Sequence, residues 1–310
     1  MDFKKFKQNV RNIKAIQKTR IQIGNGIFGT TIEQLLVTST HLQEITMLRR
    51  DKKADKKKTA RLIKKALEEL GITKAQLDIA FKDAKKDDPF YSDLFKMEMN
   101  GIKKYLQSDL DRMPIYTRFL KNIKGTGTIT SAQLIAIVGD IERFKMPSSL
   151  LEYFGVGDVR KLQHGVQANW NPKAKSLLLG VMGDNFLKQH SQYRVEYDRR
   201  ANFTKRTKPE IWHLNPDGTK ATGKNMHPKH GYRDAIRVMM KRFLVEFWVA
   251  SYEAKGLNPP TQPYALTLPN HHLDPQIVAF SHDELKTHVN VASQTNHEPQ
   301  YSIVNKQKRR

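Results

Sequence analysis

The sequence predicts a mainly α-helical protein, and three observations carry the prediction. Apolar residues recur at three- and four-residue steps over Phe3–Arg20 and again over Tyr232–Ala254. The stretch from Lys57 to Gln107 keeps a helical pattern broken only at helix-stop and helix-start signals, and no apolar strand bearing an Asp precedes Tyr116. One small β element is expected, a hairpin whose turn is Asn215-Pro216-Asp217-Gly218.

The elements follow in order. Phe3, Phe6, Val10, Ile13 and either Ile16 or Gln17 line one face of a first helix with a basic back. This helix is expected over Phe3–Arg20, the segment Arg20–Gly29 follows it, and a second helix is expected from Thr31 to Arg50 with Ile32, Leu35, Leu36, Leu42, Ile45 and Leu48 inward. Gly71 and Thr73 supply a stop followed by an N-cap, and Asp87-Asp88-Pro89 supplies a second break. A helix is expected over Tyr116–Ile123. The last long helix, Tyr232 to Ala254, buries Ile236, Met239, Met240, Phe243, Phe247 and Trp248, with Arg233, Arg237 and Lys241 as a separate basic line.

Charge bounds the function. The chain has 310 residues with 54 Lys and Arg against 31 Asp and Glu, a formal net charge of +23. So basic a surface repels itself until a polyanion neutralises it, which points to nucleic acid. The absence of Cys excludes a disulfide scaffold and thiolate metal sites. The irregularly spaced His271, His272, His282, His288 and His297 read as surface, so no metal site and no cofactor is expected. No apolar run is long enough to span a bilayer and no signal-like core follows Met1, so no membrane partner and a cytoplasmic location are expected.

Two basic regions are candidate strand contacts. Between Arg49 and Lys65 ten basic residues face only Asp51 and Asp55; Lys52, Lys53, Lys56, Lys57, Lys58, Arg61, Lys64 and Lys65 either line a duplex backbone or form a solvated lysine loop. Between Arg199 and Arg242 twelve Lys and Arg face Glu210, Asp217 and Asp234. Tyr193, Tyr197, Phe203, Trp212 and Tyr232 are interleaved there, for stacking on bases or for packing a core.

The central stretch is Asn122–Gly155. Lys124-Gly125-Thr126-Gly127-Thr128 before Ser131–Val138 is a helix-hairpin-helix signature, which either aims backbone N–H groups at a phosphate or makes a tight turn in a helical core. Gly139-Asp140-Ile141-Glu142-Arg143-Phe144, then Leu150, Tyr153 and Gly155, resembles the C-terminal transposase domain of guide-RNA-using insertion-sequence recombinases. The same order is similar to the Nop domain of box C/D ribonucleoproteins and of the Tas proteins of tandem interspaced guide RNA (TIGR) systems. Pro114, Tyr116, Leu120, Ile123, Gly125 and Gly127 match the family's joining phrase, and His227, Pro228, His230, Arg233, Lys241, Phe243, Leu244 and Trp248 look like its terminal helix.

The resemblance implies a fold and a function. It divides the chain into a basic helix (1–30), a coiled-coil dimerisation region (31–112), a Nop-like RNA-binding domain (113–264) and a tail (265–310). The recombinases carry Ser-Gly, whose serine attacks DNA, where this chain has His164-Gly165, and an imidazole cannot form the stable phosphodiester link that a hydroxyl makes. Ser176 is expected to be buried or to cap a helix. No RuvC-like strand with metal-binding carboxylates and no HNH module is recognised. The implied protein is therefore a nuclease-free Tas-like homodimer, not an enzyme, that binds a guide RNA and through it a target DNA, with a separate nuclease as a further possible partner. The expected RNA contacts are Lys124, Gly125, Thr126, Gly127, Thr128, Lys161, Gln163, His164, Arg199, Arg200, Arg206, Arg233, Arg237 and Lys241. A transposase-like enzyme and an RNA-independent helix-hairpin-helix DNA-binding protein are the alternatives.

Overall fold

The structure is a computed structural model that describes residues 2–51, 55–157, 168–212, 214 and 230–260. Residues up to Asn258 form one compact unit, and Pro259–Arg310 separate as a second. Among the described residues there are helices and no strand. The expected hairpin at Asn215–Gly218, the His227-Pro228 pair and the tail from 265 lie outside the described residues.

The first helix corrects the sequence reading. α1 runs unbroken from Phe3 to Leu35, through the Arg20–Gly29 segment expected to lie between two helices. Two glycines of that segment serve close approach: a Cβ on Gly24 would stand 3.1 Å from the Tyr91 ring, and one on Gly29 would strike the Arg49 guanidinium. Arg49 Nη1 donates to the Gly29 carbonyl at 2.7 Å, so each small residue lets a distant side chain settle on the helix. The break comes instead over residues 36–41, where Ser39 Oγ accepts from the His41 N–H, and α2 spans Leu42–Arg50.

α3 (Lys56–Glu69), α4 (Lys74–Asp87) and α5 (Pro89–Gly101) follow. Their boundaries obey local chemistry. Thr73 and Gln76 close a capping box on α4, and Asp88 accepts from the Tyr91 N–H while Pro89 opens α5. α5 lies antiparallel to α1, with Gly101 opposite Ile13, Glu98 opposite Gln17 and Arg20, and Tyr91 opposite Gly24. Arg20 Nε meets Glu98 at 2.6 Å, and Glu98 is buried. A buried carboxylate without that guanidinium would be strongly unfavourable, so the pair pins the register of α1 on α5.

A π-helical turn, Ile102–Gln107, joins α5 to α6 (Ser108–Leu110). α7 (Pro114–Arg118) is shorter than the helix expected over Tyr116–Ile123: Phe119 leaves helical angles at φ −121°, ψ −69°, and a 3₁₀ turn covers Leu120–Asn122. That departure sends the Phe119 ring against Phe243 and Phe247. α8 (Thr128–Val138), a 3₁₀ turn at Ile141–Arg143 and α9 (Pro147–Tyr153) follow. Beyond residue 168, α10 (Pro172–Lys175) runs through a second π segment, Ser176–Met182, into α11 (Gly183–Lys188). α12 (Arg194–Thr207) then packs along α13 (His230–Glu253).

Two cores result, and α1 enters both. Its first half gives Phe6, Val10 and Ile13 to the larger, which holds α8, the second π segment and the buried face of α13. Its second half gives Ile32, and its C-cap Leu36, to a smaller cluster with Ile45 and Ala66. All six residues expected to be buried on the last helix are buried, and Trp248 Nε1 donates to the Phe144 carbonyl at 2.7 Å.

Candidate nucleic-acid interface

The glycine turn is held from within. Gly125 has φ +97°, and a Cβ there would lie 2.9 Å from the Phe186 ring and 3.1 Å from the Asn185 backbone. Thr126 Oγ1 donates back toward the carbonyls of Leu120 and Ile123. Thr130 Oγ1 accepts from the Gly127 N–H at 2.8 Å, and Thr128 Oγ1 donates to Gln107 Oε1 at 2.8 Å, a partner presented by the first π turn. Of the five residues expected at a phosphate, three therefore carry internal bonds, Gly125 is packed, and Lys124 and Gly127 are exposed.

The α12–α13 face sorts its cations by partner. Arg200 Nε reaches Asp234 at 2.6 Å and Arg199 reaches Glu196 at 3.4 Å. Arg237 is half-buried and donates to the carbonyls of Val156 and Gly157, so it braces the backbone after α9. Lys241 is half-buried. Arg206 and Arg233 are exposed, and among the described residues no carboxylate lies within ion-pair distance of either.

Most of the interleaved rings pack. Tyr193 is buried and donates to Glu246, and Tyr232 donates to Asp184 at 2.6 Å. Burial and the Asp184 carboxylate push the Tyr232 hydroxyl far above its ordinary pKa, so it remains a donor at any physiological pH. Trp212 donates to Thr204 at 2.9 Å and lies so close to Gly231 that no Cβ would fit. Tyr197 stands edge-on to Tyr232. Phe203, 49% exposed with the Arg200 guanidinium beside it, is the ring available for stacking.

On α3 the exposed cations divide by register. Lys58 meets Glu44 at 2.8 Å and Lys64 meets Glu68 at 3.4 Å. The Lys58 hydrogen bond holds the Glu44 carboxyl below its usual range. Lys57, Arg61 and Lys65, four apart, form an exposed stripe with no carboxylate at ion-pair distance among the described residues. Lys52, Lys53, Lys161, Gln163 and His164, together with the Lys56 side chain, lie outside the described residues.

Two sites depart from the sequence reading. Ser176, expected buried or capping, is exposed and stands at the C-cap of α10. Asn171 takes the N-cap role on α10, and the π turn that follows sends Leu177 and Leu178 inward instead. Lys175 was not singled out, yet its ammonium lies 4.1 Å from the centre of the Trp170 ring and its stem passes beneath Gly155. The one signal in the sequence is Asn171-Pro172, a helix start that fixes Lys175 one turn in.

Among the described residues no helix is long and apolar enough to cross a membrane, and no group of three His, Asp or Glu could hold a metal ion. The geometry thus defines a basic, mainly α-helical protein whose central stretch turns at Gly125, Gly139 and Gly155, all at positive φ. Residues 117–162, which run from α7 through that turn and past α9, match the family described as Transposase IS116/IS110/IS902 family. No curated protein and no solved structure matches the chain. The chain therefore carries a transposase-related segment on a helical scaffold.

Proposed function

We propose that this protein is a guide-RNA-binding scaffold resembling the nuclease-free Tas proteins, a homodimer that holds a structured RNA and lets that RNA pair with target DNA. The observation that carries the reading is the distribution of uncompensated charge. Lys57, Arg61 and Lys65 form one stripe, and Lys124, Arg206 and Arg233 are exposed without acid partners among the described residues. Such cations gain most from a polyanion, because each phosphate contact releases a counterion. They read backbone, so sequence choice falls to base pairing.

The exposed side chains Phe90, Phe95 and Met97 on α5 support a protein partner on the α1–α5 pair, and a second copy is the partner proposed. A separate nuclease is a further partner in this reading, and the cytoplasm of a prokaryotic cell is its setting.

The test is to sequence the nucleic acid that co-purifies with the protein. One discrete short RNA supports the reading; random fragments or DNA alone would overturn it in favour of an RNA-independent DNA-binding module. A second reading, a DNA-cutting or DNA-joining enzyme, is favoured by the transposase-family match and by the exposure of the Ser176 hydroxyl. Incubation of protein, RNA and labelled DNA with Mg²⁺ decides it: broken or joined strands that disappear in Ser176→Ala would establish the enzyme.

A further inference from the structure

Two cations meet behind α9 with no carboxylate at ion-pair distance of either among the described residues. Asn171 caps α10 by accepting from the N–H groups of Lys173 and Ala174, and the buried Ala174 sets the rotation of that turn. Lys175 is thereby carried inward, its Cδ only 2.9 Å from where a Gly155 Cβ would sit. Gly155 itself is at φ +64°, so the backbone angle and the close approach both require glycine there. Arg237 arrives from α13 on the other side and spends Nε and Nη2 on the carbonyls of Val156 and Gly157. No described residue accepts from its Nη1. Neither side chain has a carboxylate within ion-pair distance among the described residues.

Burial and the neighbouring Arg237 charge lower the Lys175 pKa from its ordinary value. Like charges held together in a half-buried place cost free energy, and a bound anion would return it. The Trp170 ring supports Lys175 through its face, and Asn171 Nδ2 donates to the Tyr153 hydroxyl at 2.7 Å, tying the ring's segment to α9. The arrangement is thus braced on three elements. It differs from the surface lysines of α3, which stand on one helix and face water.

We propose that Lys175 and Arg237, walled by Trp170, form a seat for one phosphodiester group of a bound nucleic-acid strand. The seat rests on the nucleic-acid-binding reading above and adds a fixed anchor to it. A tetrahedral oxyanion suits the place because the Lys175 ammonium and the Arg237 Nη1 can donate to different oxygens of one phosphate.

The test reads Lys175 directly in the unaltered protein. Amine acetylation near neutral pH, followed by mass spectrometry, is measured with no ligand, with a single-stranded RNA, with a DNA duplex and with inorganic tripolyphosphate; exposed Lys173 is the internal control. Without ligand Lys175 labels at a rate set by its depressed pKa. With a saturating strand its labelling relative to Lys173 falls about five-fold or more, as mass action requires of an occupied site. Protection by RNA alone assigns the seat to the RNA, protection by DNA alone assigns it to the target, and either supports the proposal. Protection by tripolyphosphate alone, or by nothing, overturns it.

Lys175→Gln supplies a second measurement. It should weaken RNA binding several-fold and reduce the slope of log affinity against log salt by about 0.7, the single-strand value for one lost phosphate contact. Lys175→Arg should restore both, and an unchanged slope in Lys175→Gln contradicts the seat. Failure of the guide-RNA reading looks different. If no discrete RNA co-purifies while strands still protect Lys175, the guide fails and the seat stands; if a discrete RNA is bound and Lys175 labels unchanged, the seat alone fails.

Discussion

Gly125 and Gly26 show how differently one residue type is used in this chain. Gly125 combines φ +97° with a blocked Cβ position, so Gly125→Ala should destabilise by about 3 kcal/mol through backbone strain and overpacking. Gly26 sits within α1 with nothing near its Cβ position, and Gly26→Ala should stabilise by about 1 kcal/mol through helix propensity alone. Urea unfolding of both variants measures the contrast; equal effects of the same sign would contradict the assignment. The sequence made Gly125 legible as a turn because it stands in Gly-Thr-Gly before an apolar helix. It could not reveal that Thr126 and Thr128 bond inward, since their partners Leu120 and Gln107 are placed by the 3₁₀ turn and a π turn. Arg237 was only partly legible for the same reason: nothing in a basic line shows that the carbonyls of Val156 and Gly157 take its Nε and Nη2 and leave Nη1.

At the level of elements, local signals carried far and tertiary ones did not. The Gly71 stop, the Thr73 capping box and the Asp88-Pro89 start all lie where the chain's own turn chemistry puts them. α1 does not, because its continuity depends on Tyr91 and Arg49, residues remote in sequence that pack on Gly24 and Gly29. The Arg20–Glu98 pair is the strongest polar tie between α1 and α5. Glu98→Ala leaves a half-buried guanidinium unpaired and should cost about 3 kcal/mol, with faster amide exchange in α1 and α5 and little change in α13. A uniform loss of protection across both cores would show instead that the pair supports the whole unit. On the α12–α13 face, Arg206→Glu with Arg233→Glu should lower RNA affinity on the order of 10-fold at moderate salt and leave the melting temperature unchanged, since both side chains are exposed and without acid partners among the described residues. Filter binding and thermal unfolding report the two halves of that expectation, and full affinity in the double variant removes this face from the interface.

For the molecule as a whole, a formal charge of +23 drew attention to nucleic acid, but the distribution of pairing narrows where a strand can lie. Acids are spent on Lys58, Lys64, Arg199 and Arg200, whereas the α3 stripe, Lys124, Arg206, Arg233, Lys175 and Arg237 are among the cations with no carboxylate at ion-pair distance among the described residues. Those pairings join residues up to tens of positions apart, so composition alone could not locate them. The central claim is that RNA bound to this platform selects the DNA. Capture of fragmented genomic DNA by the purified ribonucleoprotein, before and after ribonuclease treatment, tests it most directly. The account predicts enrichment of sequences complementary to the bound RNA before treatment and its loss afterwards; the same sequences retained after the RNA is destroyed would contradict it.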